Sequence, residues 1–79
     1  MKTLYIYTTK DFYSGVILRT LNHPIQDIEK HRSGSSIFVF ADPNRTAEKE
    51  LISFWNKELL VEPRKLIDAI NELKTRIYS

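Results

Sequence analysis

The chain has 79 residues, of which 42% are hydrophobic and 28% charged, with a net charge of +2 and no cysteine. Such a length holds one domain, residues 1–79, of ordinary globular composition, and the lack of cysteine excludes a disulfide framework, a thiolate zinc site and a thiol nucleophile. No apolar run approaches the roughly 20 residues of a membrane span and Met1-Lys2-Thr3-Leu4-Tyr5 has no signal-type apolar stretch, so a cytoplasmic location without membrane contact is expected.

Leu4-Tyr5-Ile6-Tyr7 reads as a strand, rich in β-branched and aromatic residues and apolar on both faces. Thr9 is the expected N-cap of a following helix, with Asp11 favourable near its positive end. Phe12, Tyr13, Val16, Ile17 and Leu21 recur at helical spacing, and Asn22-His23-Pro24 stops the helix because the proline drives His23 out of the α region. Ile25–Lys30 is a half-polar strand whose charges suit a sheet edge, and His31-Arg32-Ser33-Gly34-Ser35 is a turn. Ile37-Phe38-Val39-Phe40 is the strongest strand signal and is again apolar on both faces. Asp42 as N-cap and Pro43 as first helical residue open a second helix to about Glu58, with Ala47, Leu51, Phe54 and Trp55 as its buried stripe. Leu59-Leu60-Val61 is a connector expected to pack. Glu62-Pro63 starts a last helix, in which Leu66, Ile70, Leu73 and Ile77 form an amphipathic stripe.

The order β-α-β-β-α-α is an α+β pattern. With a right-handed crossover, it predicts a three-stranded sheet of order 1-3-2, helices packed on one face, and a C-terminal amphipathic helix. Side chains alternate along a strand, so Leu4 and Ile6 oppose Tyr5 and Tyr7, and Ile37 and Val39 oppose Phe38 and Phe40. Two arrangements fit. The aliphatic sets pack under the helices and Tyr5, Tyr7, Phe38 and Phe40 line an open face; or the last helix folds back over the aromatic side and turns those rings into core. Homodimerisation through the same face is a third outcome, since exposed apolar patches mark interfaces.

An open aromatic face flanked by cations is how several single-strand nucleic-acid binders stack bases. Lys2, Lys30 and Arg32 lie near that face in this reading, and Lys74 and Arg76 beside Tyr78 extend it. A net charge of +2 is no polybasic signature, and the small excess belongs to the N-terminal half: residues 1–41 carry five basic and three acidic groups, whereas residues 42–79 carry seven of each. Leu4-Tyr5-Ile6-Tyr7-Thr8-Thr9 and Arg32 through Phe40 loosely resemble the first- and third-strand motifs of the RNA-recognition motif. Ser35 and Ile37, however, stand where that family's stacking aromatics belong, and a helix replaces its fourth strand.

Leu4-Tyr5-Ile6-Tyr7-Thr8-Thr9-Lys10-Asp11, Ile37-Phe38-Val39-Phe40, Phe54-Trp55-Asn56, Val61-Glu62-Pro63-Arg64 and Leu73-Lys74-Thr75-Arg76-Ile77-Tyr78 together resemble a family of short uncharacterised domains from bacteria, phages and mobile elements. The resemblance spans nearly the whole chain and implies a stand-alone domain of this length. It brings no catalytic residues.

Candidate chemistry is sparse. His23 and His31, with Asp27 and Glu29, lack the spacing of a metal or acid–base cluster, and read as surface histidines. Gly15 and Gly34 are isolated, so neither a Walker loop nor a dinucleotide fingerprint is present, and no cofactor is expected. Gly15, inside a helix, points to close approach of that helix to the sheet. Ser33-Gly34-Ser35-Ser36 beside Arg32 offers amides to an anion or simply a hairpin turn. Trp55, the sole tryptophan, is a candidate interface anchor. Glu62, Asp68 and Glu72 interleave with Arg64, Lys65, Lys74 and Arg76 as a mutually paired, solvated face.

No catalytic constellation is visible, and two non-enzymatic functions remain. One is a nucleic-acid-binding accessory module, favouring single strands, that stacks bases on Tyr5, Tyr7, Phe38 and Phe40 and holds phosphates with Lys2, Lys30, Arg32 and Arg76. The other is a protein-interaction module, such as a phage counter-defence inhibitor, acting through an apolar face or Trp55 and able to self-associate as a dimer.

Overall fold

A computed structural model of the chain describes residues 5–78; Lys2 and the Leu4 end of the first strand lie outside the described residues. The elements run β1 (Ile6–Thr9), α1 (Phe12–Thr20), β2 (Ile25–Lys30), β3 (Ser36–Ala41), α2 (Ala47–Trp55) and α3 (Pro63–Tyr78). This is the α+β order β-α-β-β-α-α, and the three strands form a sheet of order β1-β3-β2. Both pairings to β3 are antiparallel. Among the described residues, no helix is long and apolar enough to cross a membrane.

The helix ends show how local chemistry sets the boundaries. β1 continues to Thr9 because Thr8 and Thr9 pair with Val39 and Phe38. The expected cap therefore moves from Thr9 to Asp11, whose Oδ2 accepts from the Ser14 N–H and hydroxyl, both at 2.8 Å. α1 ends in a Schellman motif: Asn22, at φ 69°, donates to Arg19 O, and His23 donates to Leu18 O, both at 3.0 Å. The left-handed residue, rather than Pro24 alone, turns the chain. α2 ends the same way at Lys57 (φ 62°), which donates to Phe54 O, while Glu58 donates to Ser53 O. α2 begins later than expected, at Ala47 instead of Pro43, because Asp42–Arg45 form a turn with Arg45 at φ 56°. The N-cap position falls on Thr46, which makes no side-chain cap bond, so the expectation of Asp42 there is corrected; the Asp42 carboxylate serves the helix start from four residues upstream. Its Oδ1 reaches across that turn to accept the N–H of Thr46 at 2.9 Å and of Ala47 at 3.3 Å. α3 starts at Pro63 as expected, with Glu62 accepting the Lys65 N–H at 2.7 Å.

Gly34, at φ 89°, closes the β2–β3 hairpin; it donates to His31 O, and His31 donates to Ser35 O, the pattern of a type I turn with a glycine bulge. That turn sets Lys30 opposite Ser36, Glu29 opposite Ile37 and Ile28 opposite Phe38. A bulge between Ile25 and Asp27 then brings Ile25 opposite Phe40, so both isoleucines of β2 share the side of the two phenylalanines.

The helices cover the aromatic side. Phe38 and Phe40 join Val16, Ile17, Leu18, Leu51 and Leu73 in one core, with Tyr7, Ile25 and Ile28 packed against it. The arrangement with the aliphatic sets under the helices is corrected accordingly: Ile6 and Thr8 of β1, Ile37 and Val39 of β3 and Asp27 and Glu29 of β2 share the opposite side. Two acidic groups cannot be buried there unpaired.

α1 is buried on nearly every side because it meets the sheet, α2 and α3. Gly15 makes this possible. A Cβ at that position would stand 3.2 Å from Phe38 Cδ2 and 3.5 Å from Leu73 Cδ1. Arg19 ties the outer part of the α1–α3 contact through its Nε, 3.0 and 3.1 Å from the two Glu72 oxygens, and Arg76 joins the same carboxylate at 3.1 Å. These half-exposed ion pairs contribute at most about 1 kcal/mol each, so packing carries the layer.

Gly15→Ala gives none of the roughly 1 kcal/mol an exposed helix gains from losing a glycine, because the fully buried ring cannot move aside. Gly15→Val destabilises by about 2–3 kcal/mol through overpacking. Urea denaturation of both variants against wild type measures this.

Candidate functional site

The residues expected to form a stacking platform are separated by the fold. Phe38 and Phe40 are 1% and 0% exposed and lie beneath α1 and α3. Bringing either ring out to a base forfeits about 1.5–3 kcal/mol of burial, which cancels the roughly 1–3 kcal/mol that stacking returns. Their assignment as stacking residues is therefore corrected: they are core. Tyr7 is half-buried against the same core. Tyr5 is exposed, but the Arg45 guanidinium sits 4.6 Å from its ring centroid and occupies one of its faces.

The expected phosphate contacts are equally dispersed. Lys2 lies outside the described residues. Lys30 and Arg32 are exposed at the hairpin, next to Glu29, which also approaches His31 at 3.9 Å. Arg76 is on α3 and paired with Glu72, as the interleaved charges of that helix lead one to expect. The open side of the sheet presents Asp27 and Glu29, which repel a polyanion. Among the described residues, the expected cations are split between the hairpin (Lys30, Arg32) and α3 (Arg76).

Apolar surface is exposed at the far end of α2, besides the single exposed side chains Tyr13 of α1 and Ile67 and Tyr78 of α3. Ala47, Leu51 and Phe54 turn inward, and the outer face of the helix carries Ile52 and Trp55, three residues apart and so on one side. Trp55 is 63% exposed, with its ring 5.1 Å from that of Phe54, which packs on the core and holds the indole from behind. The left-handed turn at Lys57 then sends the chain into the connector. Leu59 returns to the core as expected, but Leu60 is 93% exposed, contrary to a packed connector. Alternation explains this: neighbours in an extended segment point to opposite sides, so only one of the two leucines can reach the core.

A second cluster surrounds the start of α2. His23 Nε2 contacts Glu50 Oε1 at 2.5 Å, and the same oxygen accepts the Thr46 hydroxyl at 3.2 Å. His23, Glu50, Thr46 and Asp42 line a cleft of about 270 Å³ where the α1–β2 corner meets α2. His23 is thus largely buried and partnered rather than a surface histidine. Every polar side chain in the cluster holds a structural bond: Asp42 accepts amides at the start of α2, and Glu50 latches α2 to the corner. Among the described residues, no three metal-ligating side chains gather at one place. A smaller cleft, about 150 Å³, lies between α1 and α3 and is lined by Arg19, Lys65, Asp68 and Glu72.

Asp42→Ala removes the acceptor for the buried Ala47 amide and the partly buried Thr46 amide and costs about 1–2 kcal/mol. Asp42→Asn keeps one carbonyl oxygen and restores most of it. Thermal unfolding followed by circular dichroism reads the difference.

No family model, no curated protein and no solved structure matches this chain.

Proposed function

We propose that this chain is a non-enzymatic protein-interaction module whose contact surface is the outer face of α2 and the connector after it, with Trp55 as anchor. One observation carries the reading: the indole of Trp55 stands 63% exposed while the phenylalanines of the sheet are sealed in the core. Tryptophan is among the side chains that most often carry the binding energy at the centre of a protein interface. Ile52 and Leu60 add apolar area on the same element and its continuation.

Charge argues for a protein partner over a nucleic acid. Residues 42–79, which contain this surface, carry seven basic and seven acidic groups. A polyanion gains affinity when clustered cations neutralise its phosphates and release its condensed counterions into solution, and a balanced surface offers little of that. An apolar pocket on another protein, able to take an indole, is the complementary shape.

The test uses the resident tryptophan. Trp55→Ala combined with Leu60→Ser changes stability by no more than about 1 kcal/mol, because both side chains are exposed. Affinity capture from source cells compares wild type with this variant, and the captured protein is purified and titrated against both by calorimetry, with the emission of Trp55 followed in the wild type alone. Saturable binding by wild type with a blue shift, lost in the variant, supports the reading. Equal binding by the variant, or binding of single-stranded nucleic acid at low salt with no protein partner, contradicts it.

A further inference from the structure

The two edges of the sheet are built differently. The β2 edge carries the devices that block strand addition: a bulge between Ile25 and Asp27, and the charged residues Asp27, Glu29 and Lys30. β1, at the other edge, reads Ile-Tyr-Thr-Thr over Ile6–Thr9, with no charge, no proline and no bulge in its register to β3.

Hydrogen bonding shows what that edge offers. The Asp42 N–H donates to Tyr5 O at 2.8 Å. Antiparallel ladders alternate between bonded and non-bonded pairs, so with the observed register Tyr7 and Thr9 bond to β3 at Phe40 and Phe38. The N–H and C=O groups of Ile6 and Thr8 therefore point away from β3, toward the outer edge. Their side chains lie on the open side of the sheet, where Ile6 is 54% exposed beside the row Ile37, Val39 and Ala41.

We propose that a second copy of this chain pairs along this edge, β1 antiparallel to β1, to give a continuous six-stranded sheet. The strand is complementary to itself. Setting Ile6 opposite Thr8 of the partner subunit, and Thr8 opposite Ile6 of the partner subunit, uses both outward-facing residues of each copy in bonded pairs. Tyr7 then meets Tyr7 of the partner subunit on the twofold axis. This register joins the two aliphatic rows across the axis and leaves Lys10 beyond the paired segment. No charge on the strand opposes the approach, and Asp27 and Glu29 sit on β2, the strand farthest from the axis. A second copy supplies this match by symmetry, whereas an unrelated peptide would need its own sequence to do so. The proposal is independent of the α2 surface.

Sedimentation and light scattering of the wild-type chain are expected to give a particle of twice the 9.3 kDa chain mass. Thr8→Pro deletes an outward N–H that the monomer does not use, a position where an edge strand tolerates proline; it is expected to give a folded monomer. Ile6→Lys places a gatekeeper charge on the exposed side and gives the same result should the proline perturb β1. Tyr7→Cys, in a chain with no other cysteine, is expected to form a covalent dimer on mild oxidation, because the axial pair brings two equivalent positions together. A wild-type monomer at its highest soluble concentration overturns the proposal. So does a dimer that persists in folded Thr8→Pro and Ile6→Lys, or that fails to cross-link through position 7.

Discussion

At Gly15, α1 comes close enough to Phe38 that a single added carbon would stand 3.2 Å from the ring. The rest of the structure depends on that approach. With α1 this low, Phe38 and Phe40 fill the space between sheet and helices, and Leu73 of α3 packs over the same glycine. α1 becomes a central element, buried against the sheet, α2 and α3, instead of a peripheral helix. A chain of this size has little apolar surface to spare. Placing the rings of Phe38 and Phe40 at full burial, about 1.5–3 kcal/mol each, is what makes one core sufficient.

Much of this was legible in the residues. Alternating strand and helix periods, the stop at Pro24, the turn at Gly34, the helix start at Pro63 and the half-polar Ile25–Lys30 segment lead to the right element order and to the sheet order. The close approach at Gly15 also followed from its place inside a helix. The side of the sheet that faces the helices was harder, because β1 and β3 are apolar on both. The deciding signal lay in β2 and its turn: a hairpin closed at Gly34 sets Glu29 opposite Ile37 and Ile28 opposite Phe38, which marks the aliphatic side as the polar-rimmed, open one. The bulge that carries Ile25 to the same side has no signal of its own in the sequence. Helix starts were displaced for a physical reason too. A carboxylate caps from a distance when a left-handed residue such as Arg45 folds the intervening turn, and neither the turn nor its handedness follows from an Asp-Pro pair.

Function follows from what the core leaves outside. Rings that would have stacked bases are consumed in holding the fold together, and the cations that would have held phosphates are scattered over the hairpin and α3. Among the surfaces that the core leaves outside are the Trp55 end of α2 and the uncharged β1 edge. They lie on different elements and differ in chemistry, one a side-chain anchor and the other a line of backbone groups. An assembly in which the edge joins two copies and each copy presents its own indole would engage a partner twice, and the second contact would gain from the effective concentration set by the first.

The placement of the Phe38 ring is the claim on which all of this turns, and nuclear Overhauser contacts measure it directly. The account predicts cross-peaks from the Phe38 ring protons to the Gly15 α-protons and to the Leu73 methyls, unchanged when single-stranded DNA or RNA is added. Absence of those contacts, with Phe38 ring resonances that shift on adding nucleic acid, would contradict it.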